Sequence, residues 1–204
     1  MSLVDKLSPI LSSPVIYLAY QTLVGGLRAR RKCIAEHVRP TSGLTVLDIG
    51  CGPGYAIAYF PRPQYYGFDV SSKYIQYAQS RFGTNGKFFC SIFDAKSAGA
   101  VPLVDVVLLM GLVHHLDDEE AVKLFTTIRH VMKPEGRLVT LDGGYKAGQS
   151  PIAKMFLDND RGKHIRDEAG YVKVAREVFS RVESVAREDL FLIPYTTVVL
   201  VCRP

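Results

Sequence analysis

The sequence predicts a doubly wound, mostly parallel α/β sheet of seven strands, Rossmann-like and finished by an antiparallel strand. Three observations predict it. Through residue 141, short apolar runs alternate with segments of helical periodicity, an order that calls for parallel pairing and right-handed crossovers. Val46-Leu47-Asp48-Ile49 runs straight into Gly50-Cys51-Gly52-Pro53-Gly54, the form of a first strand breaking into a turn whose backbone meets a ligand. The last two strand-like runs, Val182–Ala186 and Thr196–Leu200, have no helix between them and so form a closing hairpin.

With 204 residues the chain suits one globular unit. A helical cap over residues 1–40 packs on a domain of residues 41–204, the boundary marked by Pro40-Thr41-Ser42-Gly43. The net charge of +5 permits an anionic substrate without demanding one, because no long Lys/Arg block gathers it. Cys33, Cys51, Cys90 and Cys202 show no paired spacing, so neither a metal site nor a disulfide framework is expected; reduced thiols in the cytoplasm fit best. Asp5, Lys6, Pro9 and Pro14 interrupt the apolar N-terminus and argue against a signal peptide, and no run approaches the ~20 apolar residues of a membrane-spanning helix. The chain is expected to be soluble.

In order, Pro14 followed by Val15, Ile16, Leu18, Ala19, Leu23, Val24 and Leu27 gives an apolar helical face, broken in two at Gly25-Gly26. Arg28, Arg30, Arg31 and Lys32 form a basic cluster before Cys33, Ile34 and Val38 resume that face. The segment reads either as a packing helix or as a lid with Tyr17, Tyr20, Gln21 and Arg31 as its polar contacts. After the glycine turn, a short helix over Ala56–Phe60 ends at Pro61-Arg62-Pro63. Tyr65–Val70 is the second strand, and Ser71 or Ser72 caps a helix running to Gly83. Lys87–Phe93 is the third strand, ending at Asp94. Val104–Met110 is a strongly apolar fourth strand, and Gly111–Leu116 is the loop after it. Asp117, with Glu120 at capping-box spacing, starts a helix whose apolar side runs to Val131. Pro134-Glu135-Gly136 turns into a fifth strand, Arg137–Leu141; Ser150-Pro151 starts a further helix; a polar loop, Asp158–Arg166, precedes a helix over 167–179.

In such a sheet, ligands lie beyond the carboxyl ends of the strands at the topological switch point. Asp48, Asp69, Asp94 and the Met110–His115 loop all fall at strand ends. Asp69, roughly 20 residues past the first strand, is placed for a ribose diol. The glycines read Gly50-x-Gly52-x-Gly54, with Tyr55 where the dinucleotide fingerprint wants its third glycine, and Asp48 disfavours a pyrophosphate beside it. A ligand with an adenosine end and a cationic end fits better than a nicotinamide dinucleotide, which would make the chain an oxidoreductase.

Val46–Gly54 resembles motif I of the class I S-adenosylmethionine-dependent methyltransferases. Gly67-Phe68-Asp69-Val70-Ser71 resembles the acidic end of that family's second strand, and Phe93-Asp94-Ala95 its adenine-contacting turn. Leu109–Leu116 is similar to the segment after strand four in the small-molecule branch, and Val131–Gly136 to the Leu-x-Pro-x-Gly before strand five. The resemblance spans about 44–142 and the closing strands. It implies S-adenosylmethionine as cofactor, with S-adenosylhomocysteine as product. It further implies that backbone at Gly50, Cys51, Gly52, Pro53 and Gly54 faces the methionine moiety and that Asp48 meets its ammonium directly or through water. Asp69 would hold both ribose hydroxyls and Asp94 the adenine amino group, with Val70, Ile92 and Phe93 flanking the adenine and Met110 presenting backbone.

A hydroxyl or ammonium acceptor needs a base. His115 is preferred and His114 is the alternative, since adjacent histidines at a helix start should point apart. Arg161-Gly162-Lys163-His164-Ile165-Arg166 is a basic loop where Arg161 or Arg166 could pair with an anionic substrate group, with Asp142 and Tyr145 on the same rim. No Asn/Asp-Pro-Pro-aromatic run follows strand four, which disfavours base or protein-amide N-methylation, and no nucleic-acid appendage is apparent. A small-molecule acceptor, methylated at oxygen or nitrogen, is therefore expected. A module that binds the cofactor without catalysis is the other reading.

Overall fold

A computed structural model describes residues 13–204. The expectations for residues 1–12, including the start of the helical cap, lie outside the described residues. Seven strands form one sheet in the order β3-β2-β1-β4-β5-β8-β7, and a two-residue strand β6 adds to β5. They are β1 (Thr45–Ile49), β2 (Gln64–Asp69), β3 (Gly86–Cys90), β4 (Val104–Met110), β5 (Met132–Tyr145), β6 (Arg166–Asp167), β7 (Arg181–Arg187) and β8 (Thr197–Arg203). The pairs β3–β2, β2–β1, β1–β4 and β4–β5 are parallel; β8 runs antiparallel to both β5 and β7. The chain order reverses between β1 and β4, which fixes the switch point there.

The helices are α1 (Pro14–Val24), α2 (Gly26–His37), α3 (Ser72–Phe82), α4 (Ala95–Ala98), α5 (Asp118–Val131), α6 (Pro151–Asp158) and α7 (Glu168–Arg176). Their starts follow local chemistry. Ser71 accepts from Tyr74 N at α3, Asp117 and Glu120 close a reciprocal capping box at α5, and Ser150 caps α6 with proline at the first position. Gly25 separates α1 from α2 because it takes a left-handed φ of 86°.

Strand alternation divides the core between two faces. Leu47, Val107 and Leu109 face α5 and α7, where Phe125, Ile128, Tyr171 and Val174 cover them. Val46, Val106, Leu108 and Met110 face α2 and α3, under Ala29, Cys33, Ile34, Ile75 and Ala78. The same period of two puts Asp48 with Val46, on the face that α2 covers.

Some boundaries differ from the sequence reading. Residues Tyr55–Tyr59 form a 3-10 helix. The third strand stops at Cys90, because Asp94 serves as the N-cap of α4. Strand β5 begins at Met132; Val104 pairs with Met132 and Val106 with Arg137, so the Pro134-Glu135-Gly136 turn is absorbed as an irregularity within the ladder.

Candidate functional site

The glycine turn curls toward β2, with Gly50 N and Cys51 N both donating to Phe68 O (2.8 and 3.0 Å). Gly50, Gly52 and Gly54 all have left-handed φ, between 55° and 79°. Two of them serve different ends. A Cβ on Gly54 would lie 2.9 Å from the Phe88 ring and 3.0 Å from Ala78, so this glycine lets the turn pack on α3 and β3. A Cβ on Gly52 would meet only the edge of Tyr17, at 4.0 Å, which leaves its surface open as a cradle. Asp69 is built into the same turn: Oδ2 accepts from Gly52 N and Oδ1 from Ser71 N, both at 2.8 Å. Each oxygen keeps a further lone pair for a ligand.

Beyond Asp69, Val70 and Ile92 stand 71% and 64% exposed at the ends of β2 and β3, two apolar surfaces with nothing packed over them. Phe93 departs from the expectation that it flanks a base. Its ring is buried against Phe68 (5.1 Å between centroids), leaving only its backbone for a ligand. Asp94 also has local work: Oδ1 accepts from Ser97 N and Ser97 Oγ, and those bonds hold its carboxyl below the usual carboxylate value.

Asp48 is buried, takes a hydrogen bond from the Tyr65 hydroxyl on one oxygen, and has no partner on Oδ1. Burial pushes its pKa up to about 6, against the Tyr65 bond and the nearby positive charge of Arg30. That arginine lies on α2. Its Nη2 donates to the Tyr17 hydroxyl (2.9 Å) and to Met110 O at the end of β4 (3.3 Å). Tyr17, from α1, packs at a tilt against Tyr74, with ring centroids 5.3 Å apart, and reaches over Gly52. Helix α1 thus lies beside the glycine turn, and the arginine that its Tyr17 meets is Arg30, while Arg31, named as a polar contact in the lid reading, is exposed. Sequence reasoning passed over Arg30, although it lies four residues from both Gly26 and Ile34, which are buried on the inner face of α2.

The histidines sit on a 3-10 turn, Val113–His115, and do not point apart: their ring centroids are 4.2 Å from each other. His114 is buried between two carboxylates, with Nδ1 at 2.8 Å from Asp142 Oδ1 and Nε2 at 3.5 Å from Asp160 Oδ1. Burial alone would lower its pKa, but the Asp142 bond and the two negative charges raise it. His115 has an exposed side, and its pKa lies below the ordinary value through partial shielding and the charge of His114. The polar loop is pinned over this pair. His164 N donates to His114 O (2.9 Å), and Gly162 lies so close that a Cβ there would fall 2.1 Å from His114 Cδ2. Tyr195 completes the clamp by donating to Asp160 Oδ2 at 2.8 Å.

Two expected substrate contacts need correction. Arg166 places all five of its N–H donors inside the protein: on Asp118 twice, and on the carbonyls of Val113, Leu116 and His164. It has none left for a substrate anion. Tyr145 donates to Asp158 and lines a surface groove with Lys146, Gln149, Lys154 and Asp167, a groove that includes neither histidine. Arg161 differs from both: it is exposed, and its charge acts on His115, Tyr20 and Tyr74 together.

Residues 46–136 match the family model described as a methyltransferase domain. No curated protein matches the chain. Several solved structures share the fold. The pyocyanin biosynthetic protein PhzM aligns over 100% of this chain and 62% of its own, with a TM-score of 0.71 and 16% identity. Human N-acetylserotonin methyltransferase, solved with S-adenosylmethionine, aligns over 95% of this chain and 57% of its own (TM-score 0.66, 16% identity). The mitomycin 7-O-methyltransferase MmcR aligns over 88% and 54% respectively (TM-score 0.64, 18% identity). This chain therefore spans between about half and two thirds of the length of these three structures. Among the described residues no helix is long and apolar enough to cross a membrane.

Proposed function

We propose that this chain, whose residues 46–136 match a methyltransferase-domain model, is a class I S-adenosylmethionine-dependent methyltransferase that transfers the cofactor's methyl group to a small-molecule hydroxyl or amine. One observation carries the reading: Asp69 is anchored by Gly52 N and Ser71 N against an open, left-handed glycine cradle at the β1–β4 switch point. The residues present fit the cofactor. Asp48 Oδ1 is buried without a partner, and Gly52 leaves space where a side chain would intrude. When bound, the cofactor supplies a methyl group already activated on a sulfonium, so the protein's main task is alignment.

In this reading Asp69 accepts from the ribose hydroxyls, while the backbone of Gly50, Cys51, Gly52, Pro53 and Gly54 seats the methionine end. Val70 and Ile92 flank the adenine, and Phe93 and Asp94 contribute by backbone and carboxylate edge. Met110 presents backbone beside Asp48. His115 takes the proton of the acceptor on a ring nitrogen; a pKa below the ordinary 6.5 leaves it free to do so at neutral pH. His114, held between Asp142 and Asp160, orients that ring and carries the loop that bears Arg161. Arg161 is the candidate contact for an acidic group on the acceptor. The cytoplasm suits the four free cysteines.

The test is methyl transfer from labelled S-adenosylmethionine into a small-molecule metabolite pool, with release of S-adenosylhomocysteine followed in parallel. Label in a small molecule, lost in Asp69→Ala and reduced but still measurable in His115→Gln, is the expected result. Cofactor binding with no transfer to any fraction would make the chain a binding module.

A further inference from the structure

Helix α1 is apolar on the side that faces away from the protein. We propose that this side, with Leu192 and the outer face of α6, is the surface on which a second copy of this chain docks, making an isologous two-fold dimer. The inference is independent of the cofactor reading.

The sequence of α1, Pro-Val-Ile-Tyr-Leu-Ala-Tyr-Gln-Thr-Leu-Val, holds no charged residue, and only Leu18 is fully buried. Val15, Ala19 and Leu23 follow one another at a spacing of four, as do Ile16 and Tyr20, and all five are exposed. A helix that is apolar all round belongs inside a larger packed unit. Leu23 is 77% exposed, and Leu192, 64% exposed, is tied to the end of α1 by a bond from its N to Val24 O (3.0 Å). The surface continues from there. Phe191 packs against Tyr195 (5.0 Å between centroids), Tyr195 donates to Asp160 just past α6, and α6 itself turns Ile152, Met155 and Phe156 outward. Among the described residues, eight of the eleven exposed large hydrophobic side chains therefore lie on this one rim. Two of the other three, Val70 and Ile92, stand at the candidate cofactor site.

Size and charge choose the occupant. At ~200 Å² for a fully exposed large residue, the eight present roughly 800 Å². That exceeds the largest apolar patch of an ordinary monomer, about 300–600 Å², and equals about one partner's share of a standard interface. The lysines at and beside α6 are already neutralised, Lys154 by Asp158 and Lys146 by Glu188. Paired charges of this kind suit the polar rim of a protein interface and let two identical surfaces meet without repulsion. An anionic bilayer would instead call for unpaired lysines and arginines there.

The experiment is sedimentation equilibrium on the full chain at ~50 μM, above the weakest Kd that interfaces of this size show. The mass of two chains, not the 22.6 kDa of one, is expected. Leu23→Asp and Met155→Asp, each placing an unpaired charge in the contact, should weaken the dimer ~100-fold or more. Their far-UV circular dichroism should stay that of the wild type, because both sites are exposed. Leu103→Asp, at an exposed apolar site by the entry to β4 and off the rim, should dimerise as the wild type does. Vesicles of phosphatidylglycerol and phosphatidylcholine, spun down with the wild type, should leave it in the supernatant. A monomeric wild type at that concentration overturns the proposal, as does a dimer that survives both rim variants or is lost equally in Leu103→Asp. A monomer carried down with the vesicles overturns it too, and gives the face to a lipid surface.

Discussion

Asn at position 48 should make the ligand-free protein more stable and a poorer binder. Asp48 is buried, its Oδ1 has no partner, and its pKa is raised from 3.8 to about 6. A carboxyl that titrates about two pH units higher in the folded chain than in the unfolded one costs the folded state about 3 kcal/mol once the pH exceeds both values. Because the folded value is the raised one, the stability is fully present below 3.8 and is lost as pH climbs through about 6. Asn keeps an acceptor for the Tyr65 hydroxyl and removes the charge, at the expense of a new amide donor to satisfy. The net gain at pH 7.5 is therefore about 1–3 kcal/mol. Urea denaturation of wild type and Asp48→Asn at pH 7.5, 5.5 and 4.5 measures it. The electrostatic part of the gain should fall by about a quarter at pH 5.5 and by about two thirds at pH 4.5. Asp48→Asn should also bind S-adenosylhomocysteine ~10-fold more weakly, as expected where stability is given up for function. A variant less stable than wild type at pH 7.5, or a gain equal at all three pH values, would refute the reasoning.

Arg166→Ala should cost about 2–4 kcal/mol of stability, because five internal donors vanish and three carbonyls lose a partner; a change under ~0.5 kcal/mol in denaturant would return Arg166 to the substrate-contact role. Gly162→Ala should cost about 1–3 kcal/mol, since its Cβ would strike His114, while cofactor affinity, read by calorimetry, should hold within about threefold. Once an acceptor is in hand, the pH–rate profile of the wild type should fall on the acid side, at a pH below the ordinary histidine value, as His115 protonates. His115→Gln should remove that limb, and a limb that persists would pass the base role to His114.

Local signals in the sequence carried the frame of the fold and half of the candidate site. The apolar run Val104–Met110, the Asp117/Glu120 capping box and Ser150-Pro151 each encode their element within a few residues, and each appears where its pattern put it. The glycine turn and Asp69 were legible because strand ends and switch points have a fixed relation in doubly wound sheets. What escaped is long-range. Arg30 meets Met110 across 80 positions, and His114 meets Asp142 across 28. Arg166 looked free for a ligand because nothing local shows that three carbonyls and Asp118 converge on it. The Phe93 ring and the capping role of Asp94 were not legible for a related reason: a strand-end residue can turn into the core or cap the next helix, and Ser97 decides the second case.

The central claim is that the β1–β4 switch point seats S-adenosylmethionine through Asp69. Its most direct measurement is calorimetric titration of the wild type and of Asp69→Ala with S-adenosylhomocysteine, with NAD and NADP as controls. One ligand bound per chain, no heat from either dinucleotide, and a loss of ~10-fold or more in Asp69→Ala are predicted. Dinucleotide binding, or an affinity unmoved by Asp69→Ala, would contradict the account.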